Sequence, residues 1–285
     1  MCLIIFLILF MLLNLPDDVS SKLLSECLTL SELAKLDSAY CNKENRENLA
    51  TVFAYYVFQL RVEVVSYKQL HWVGKKHIKM TRLTVCPHDT AGRCYDQTII
   101  RACNLNYILM LNFTCFVSSF VGYNGEPVAN FINACNQLSH LKIEMSCDGI
   151  CFVLNNISAV ILNKLTTTLK LTSSSHEPSG FTADISPIAL KCFNIRDFHL
   201  HMHLFDATEA YLNNSDVSNI LQNNDKLAKL NLKGVVESAH FAKSLQMSIC
   251  RNSLTSCNLY MSADLTLTCN SITLILSSCV TLNEL

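Results

Sequence analysis

Short apolar triads of the form apolar-x-x-apolar-x-apolar recur along the chain. They read Met80-x-x-Leu83-x-Val85, Leu105-x-x-Ile108-x-Met110, Leu138-x-x-Leu141-x-Ile143, Ile195-x-x-Phe198-x-Leu200, Leu227-x-x-Leu230-x-Leu232 and Leu254-x-x-Cys257-x-Leu259. Thr166-x-x-Leu169-x-Leu171 is a degenerate copy, and Leu282-x-x-Leu285 is cut off where the sequence ends. The middle positions 83, 108, 141, 169, 198, 230, 257 and 285 are separated by 25, 33, 28, 29, 32, 27 and 28 residues. A period of this kind marks a stacked array. Two apolar residues spaced two apart predict a short strand with one buried face. Helical spacing of apolar residues precedes the triads at 128–134, 185–191, 217–222, 241–248 and 272–278.

A small residue stands between helix and triad. Cys135, Cys192 and Cys279 lie six residues before Leu141, Phe198 and Leu285, and Asn224 lies six before Leu230. Cys103 comes five before Ile108 and Cys250 seven before Cys257. Each unit therefore reads helix, turn, strand. One such unit cannot bury both its helix stripe and its strand, whereas stacked units share a continuous core. The predicted fold class is α/β, a solenoid with parallel strands on its concave face and helices on its convex face. With this period and this Cys placement, residues 78–285 resemble leucine-rich repeats of the ribonuclease-inhibitor and cysteine-containing classes.

Strand alternation then names the candidate working surface. Residues between the inward apolar ones point to the concave face. They are Arg82 and Thr84; His140, Lys142 and Glu144; Asp197, His199 and His201; Lys229, Asn231 and Lys233; Asn258 and Tyr260. From these, Arg82, His140, Lys142, Glu144, His199, His201, Lys229, Asn231, Asn258 and Tyr260 form the expected target-binding set. His199-x-His201-x-His203 has a spacing compatible with metal binding or pH sensing, but three imidazoles on one strand do not surround an ion. They read as exposed concave side chains. The Ser173-Ser174-Ser175 stretch up to Pro178-Ser179-Gly180 reads as a turn, and 111–128 as a loop packed on the array.

The N-terminal 14–60 region has a different pattern. Pro16 suits a first helical turn, and Asp17 and Asp18 complement the positive end of the helix dipole. Val19, Leu23, Leu24 and Leu28 lie on one helical stripe. Thr29 or Ser31 caps a second helix carrying Leu33, Leu36 and Ala39, and a third spans about 45–56. Leu15-Pro16, the acidic pair, Val19, Leu23-Leu24, Leu28, Ser31-Glu32-Leu33, Leu36 and Ala39-x-Cys41 resemble an F-box or F-box-like domain. That family carries a Trp soon afterwards; 42–48 has none, and Trp72 lies further on. The resemblance implies docking of a Skp-type adaptor, and through it a cullin–RING (SCF-type) ubiquitin ligase core. It implies Leu15, Pro16, Val19, Leu23, Leu24, Leu28, Leu33 and Leu36 as adaptor-binding residues. Residues 61–77 form a junction, where Lys75, Lys76, His77 and Lys79 read as a solvated cluster and Trp72 as a packing residue.

Composition adds exclusions. The 285 residues carry 22 Lys+Arg against 23 Asp+Glu, a net charge of −1, so neither nucleic acid nor an anionic membrane surface is the expected partner. The apolar run at 2–13 is too short for a membrane-spanning helix. It also lacks the basic flank and the small-x-small site of a signal peptide. Residues 1–13 read as an apolar leader, signal-like in length or an artefact of the gene model with Met11 as the first residue. Sequons at Asn112, Asn156 and Asn213 keep a secreted or surface repeat receptor as an alternative to the intracellular, cytoplasmic or nuclear reading. The 15 cysteines sit mostly in apolar stretches, as free thiols do, rather than in polar loops. Cys86-Pro-His88, with Cys94 and Cys103 beyond, lacks a CxxC knuckle. No nucleophile–base pair, phosphate loop or metal quartet stands in a defined context, so the expectation is a non-enzymatic protein without cofactor. The expected function is a protein-binding adaptor that delivers an unidentified target to a ubiquitin ligase. The alternative is a leucine-rich-repeat scaffold with no ligase link. The stop at Leu285, inside a unit, predicts a truncated product.

Overall fold

The structure is a computed structural model. It describes residues 11, 15–39, 47, 49–53, 57–58, 64–65, 67–85, 103, 105–114, 125–165, 167–175, 182–204, 211–233, 238–260, 275, 277, 279 and 281–283. The chain is α/β and divides into two compact units. The first comprises 1–111 with 134–137, the second 112–133 with 138–285. The apolar run at 2–10, Cys86-Pro-His88, Cys94 and most of 272–278 lie outside the described residues. No helix among the described residues is long and apolar enough to cross a membrane.

The first unit opens with helices α1 (Asp17–Cys27) and α2 (Leu30–Ala39) and a helical stretch at 49–53. Strands β1 (Val57–Phe58) and β2 (Val64–Val65) and helix α3 (Tyr67–Lys75) follow. Strands β3 (Lys79–Met80) and β4 (Arg82–Val85) then pair in parallel with β1 and β2 respectively. The cap of α2 is settled as Thr29. Its Oγ1 accepts from the Glu32 N–H at 3.2 Å, while Glu32 Oε2 accepts from the Thr29 N–H at 2.8 Å. This reciprocal pair satisfies two N-terminal amides. Helix α3 ends on His77, whose φ of 54° lets Ile78 N–H reach the Val73 carbonyl at 3.1 Å and close the helix end.

The second unit is built on β6 (His140–Met145), β7 (Thr168–Ser175), β9 (Asp197–Leu204), β11 (Lys229–Lys233) and β12 (Ser256–Tyr260), all parallel. Strand β5 (Met110–Thr114), which belongs to this unit from Asn112 on, adjoins β6. A two-stranded pair, β8 (Thr182–Ala183) with β10 (Tyr211–Leu212), completes the set. Parallel neighbours need crossovers. These carry α4 (Glu126–Ala134), α5 (Cys147–Asn156), α6 (Ala159–Lys164), α7 (Ser186–Lys191), α8 (Asn214–Asn223) and α9 (Ser238–Met247).

Register ties the sequence pattern to this sheet. Leu141, Leu169, Phe198, Leu230 and Cys257 are successive Cα partners across five strands. Ile143, Leu171, Leu200, Leu232 and Leu259 form the next apolar row. Nine of these ten side chains are buried, Leu259 being half-buried. The segments leading into the strands are also bonded in series. Thr167 N–H donates to Ser139 O, Asp197 to Thr167 O, Ala228 and Lys229 to Arg196 O, Thr255 and Ser256 to Ala228 O, and Asn283 to Thr255 O.

Three expectations are corrected. Leu105–Tyr107 is a 3₁₀ turn, and the strand begins at Met110, so Leu111 and Phe113 take the buried places expected of Ile108 and Met110. Ile108 is buried beside that turn. For the same reason the stretch from 111 is not all loop: Phe113 packs edge-on against Phe131 of α4 at 5.7 Å. Ser173, Ser174 and Ser175 extend β7 and pair with Met202, His203 and Leu204, so the ladder to β9 overrides their turn chemistry.

Candidate interaction surfaces

Helix α1 begins at Pro16, whose carbonyl accepts from the Val19 and Ser20 N–H groups at 3.0 Å. Ser20 and Leu24 turn inward, and Leu28 is half-buried. The α2 residues Leu30, Leu33 and Leu36 are buried too. Leu24, Leu33 and Leu36 thus form the module's core rather than its surface. Leu15, Val19 and Leu23 are 39%, 40% and 38% exposed, and Pro16 is exposed between them. Residues four apart share a helix face. The single stripe expected over Val19, Leu23, Leu24 and Leu28 is therefore split between core and solvent.

Trp72 packs within this unit. Its ring meets Phe53 edge-on at 5.8 Å, and its indole N–H donates to Asp37 Oδ2 at 3.3 Å. Lys76 Nζ donates to the other Asp37 oxygen at 2.8 Å. The pair holds α3 to α2, and the mostly buried carboxylate is met by two donors. Lys79 lies 5.3 Å from the Tyr107 ring centroid. Two members of the basic cluster are thus engaged in intramolecular contacts.

The second surface is the polar face of the sheet in the second unit. Three rows alternate with the apolar ones. The first runs His140, Thr168, Asp197, Lys229, Ser256; the second Lys142, Lys170, His199, Asn231, Asn258; the third Glu144, Thr172, His201, Lys233, Tyr260. Eight of the ten expected target-binding residues, His140, Lys142, Glu144, His199, His201, Lys229, Asn231 and Asn258, therefore share one face, and the backbone of Tyr260 continues the third row. Arg82 is exposed on β4 in the first unit, and Thr84 beside it is buried. Lys142 pairs with Glu144 at 3.3 Å, and His201 Nε2 meets Asn231 Oδ1 at 3.1 Å. His199 is held below the usual imidazole range by burial first and then by Lys170, with His201 and Lys229 acting the same way and Asp197 opposing. Lys170 escaped the sequence reading because its triad is degenerate, although the rule that selects His199 selects it too.

The turn residues between helix and strand are structural. The turn cysteines Cys103, Cys135, Cys192 and Cys250, together with Cys257 of strand β12, are buried free thiols. Burial pushes Cys103 and Cys250 up to about 11, and Cys192 and Cys257 to about 12; Cys135 is raised as well. A shift of two units lowers the thiolate fraction about 100-fold. Iodoacetamide at about pH 8 is therefore expected to label these five only after denaturation, as mapped by mass spectrometry. Labelling of native Cys192 at the rate of a free thiol would contradict their placement. Asn224, fully buried, does more: its Oδ1 accepts from Ile195 N–H at 2.9 Å and its Nδ2 donates to Ile220 O at 2.9 Å.

One Ser–His contact was not foreseen. Ser218 Oγ of α8 lies 3.2 Å from His240 Nε2 of α9, in a groove of about 350 Å³. Ser218 gives its proton to the Asn214 carbonyl at 2.8 Å, and Ser244 Oγ lies 2.6 Å away. The hydroxyl is thus committed to the helix backbone and ties two helices together. Among the described residues no three His, Cys, Asp or Glu side chains are grouped to hold a metal ion. Compared with protein-family models and with curated proteins, the chain matches none.

Proposed function

We propose that this chain is a non-enzymatic protein-interaction protein that brings a target to a ubiquitin ligase. In this reading the second unit is a leucine-rich-repeat solenoid whose polar sheet face binds the target. The F-box-like module around α1 and α2 docks a Skp-type adaptor and, through it, a cullin–RING core. The observation that carries the proposal is the stripe of Leu15, Val19 and Leu23. It stays open to solvent on a helix whose opposite side is closed by its own core. An apolar stripe of this kind is a place for a partner helix or groove. The in-register apolar rows and the serial bonds between strand entries support the repeat reading.

Affinity purification of the tagged full chain followed by mass spectrometry tests the proposal. Recovery of a Skp-type adaptor together with a cullin subunit supports it. Recovery of other binding proteins with neither subunit leaves a repeat scaffold without a ligase link and overturns the adaptor role.

A further inference from the structure

We propose that the polar sheet face of the second unit receives an acidic segment of the target protein, with Lys170, His199 and Lys229 as its anion-receiving centre. The inference rests on reading this face as the target-binding one, and it adds the chemistry of what binds there.

The cationic centre is a local feature, since the whole chain carries a net charge of −1. Register brings the groups together. Lys170 on β7 is the Cα partner of His199 on β9, and Asn231 on β11 is its partner on the other side. Lys229 on β11 is the partner of Asp197, two residues before His199. The charged and titratable groups acting on His199 are Lys170 from β7, Lys229 from β11, and Asp197 and His201 from its own strand. Among the described residues neither Lys170 nor Lys229 is in an ion pair. By contrast Lys142, one strand further, is neutralised by Glu144 at 3.3 Å. Two ammonium groups with one carboxylate and two imidazoles around them leave an excess of positive charge. The ladder fixes the Cα positions from which these groups extend, so their charges converge on one part of the face.

The neutral partners on the face fit a peptide as well. Asn231, Asn258 and Thr168 are half-buried and offer amide and hydroxyl groups to a backbone. A carboxylate seated between Lys170 and Lys229 removes their mutual repulsion and favours the protonated form of His199. Binding then takes up a proton. The sign follows: affinity rises as pH falls through the imidazole range, until the ligand's own carboxylates protonate near about pH 4.

Fluorescence anisotropy of labelled octaglutamate against the full chain tests this, with octaglutamine as the neutral probe. Octaglutamate is expected to bind about 10-fold tighter than octaglutamine at low ionic strength. Lys170→Gln and Lys229→Gln each weaken it about 3–10-fold, Lys170→Arg keeps it, and Lys75→Gln, on the first unit, leaves it unchanged. From about pH 7.5 to about pH 6 the wild-type affinity rises, and His199→Gln flattens that rise. Equal binding of the two probes overturns the proposal. So does a loss with Lys75→Gln as large as with Lys170→Gln, or a pH profile that His199→Gln leaves intact. Adaptor recovery reads α1 independently. Probe binding without adaptor recovery keeps this inference and removes the ligase role; adaptor recovery with equal probe binding does the reverse.

Discussion

A Phe198→Ala chain is expected to lose about 3–5 kcal/mol of stability in the second unit, the range found when a buried aromatic is truncated. Phe198 is 1% exposed and stands in the middle of an apolar row, with Leu169 on one side and Leu230 on the other. Strands on both sides are fixed by parallel ladders and by the bonds at their entries, so the walls of the vacated space cannot close. Urea unfolding followed by circular dichroism reads the loss as a shift in midpoint. His199→Ala, one residue on and pointing to the other face, is the matched control and is expected to stay within about 0.5 kcal/mol. Similar shifts for the two variants would contradict the register.

Asn224→Ala is expected to cost about 2–4 kcal/mol, because it orphans two buried backbone groups at once. The Ile195 N–H belongs to the segment before β9 and the Ile220 carbonyl to the end of α8. The amide therefore links one helix–strand unit to the unit before it. Asn223→Ala removes a single, partly buried bond to the Ala189 carbonyl and is expected to cost about 1 kcal/mol. Thermal unfolding of the two variants beside the wild type separates them. An Asn224→Ala loss no larger than that of Asn223→Ala would show that the buried amide has no linking role.

The sheet was legible in the sequence because a buried strand places its two inward residues two apart. Stacking repeats that mark at a near-constant interval, which is why Leu141, Leu169, Phe198, Leu230 and Cys257 come into register. The same mark failed at Ile108, since a 3₁₀ turn also buries apolar residues three apart and the triad does not distinguish it from a strand entry. Ser173 to Ser175 misled for another reason. Serine favours turns only where no ladder satisfies its backbone, and β9 supplies one. Helices α5 and α6 carried signals that the period obscured: Ser146 and Ser158 cap them, each accepting from the N–H three residues on.

The candidate surfaces were legible in part. Alternation along each strand placed His140, Lys142, Glu144, His199, His201, Lys229, Asn231 and Asn258 on one face. It could not reveal that Glu144 neutralises Lys142 while Lys170 and Lys229 have no such partner among the described residues, because pairing depends on side-chain reach across strands. In α1, adjacent Leu23 and Leu24 look alike in sequence. Only the packing of α2 and its neighbours decides that Leu24 is core and Leu23 surface.

The most direct measurement is calorimetric titration of the purified full chain with a purified Skp-type adaptor, alongside a Val19→Glu, Leu23→Glu double variant. Both positions are exposed, so the variant's unfolding midpoint should match the wild type. The wild type is expected to form a stoichiometric complex, and the variant to bind at least about 100-fold more weakly, since it places two charges in an apolar contact. A wild-type chain that gives no binding, or a double variant that binds as the wild type does, would contradict the ligase-adaptor role.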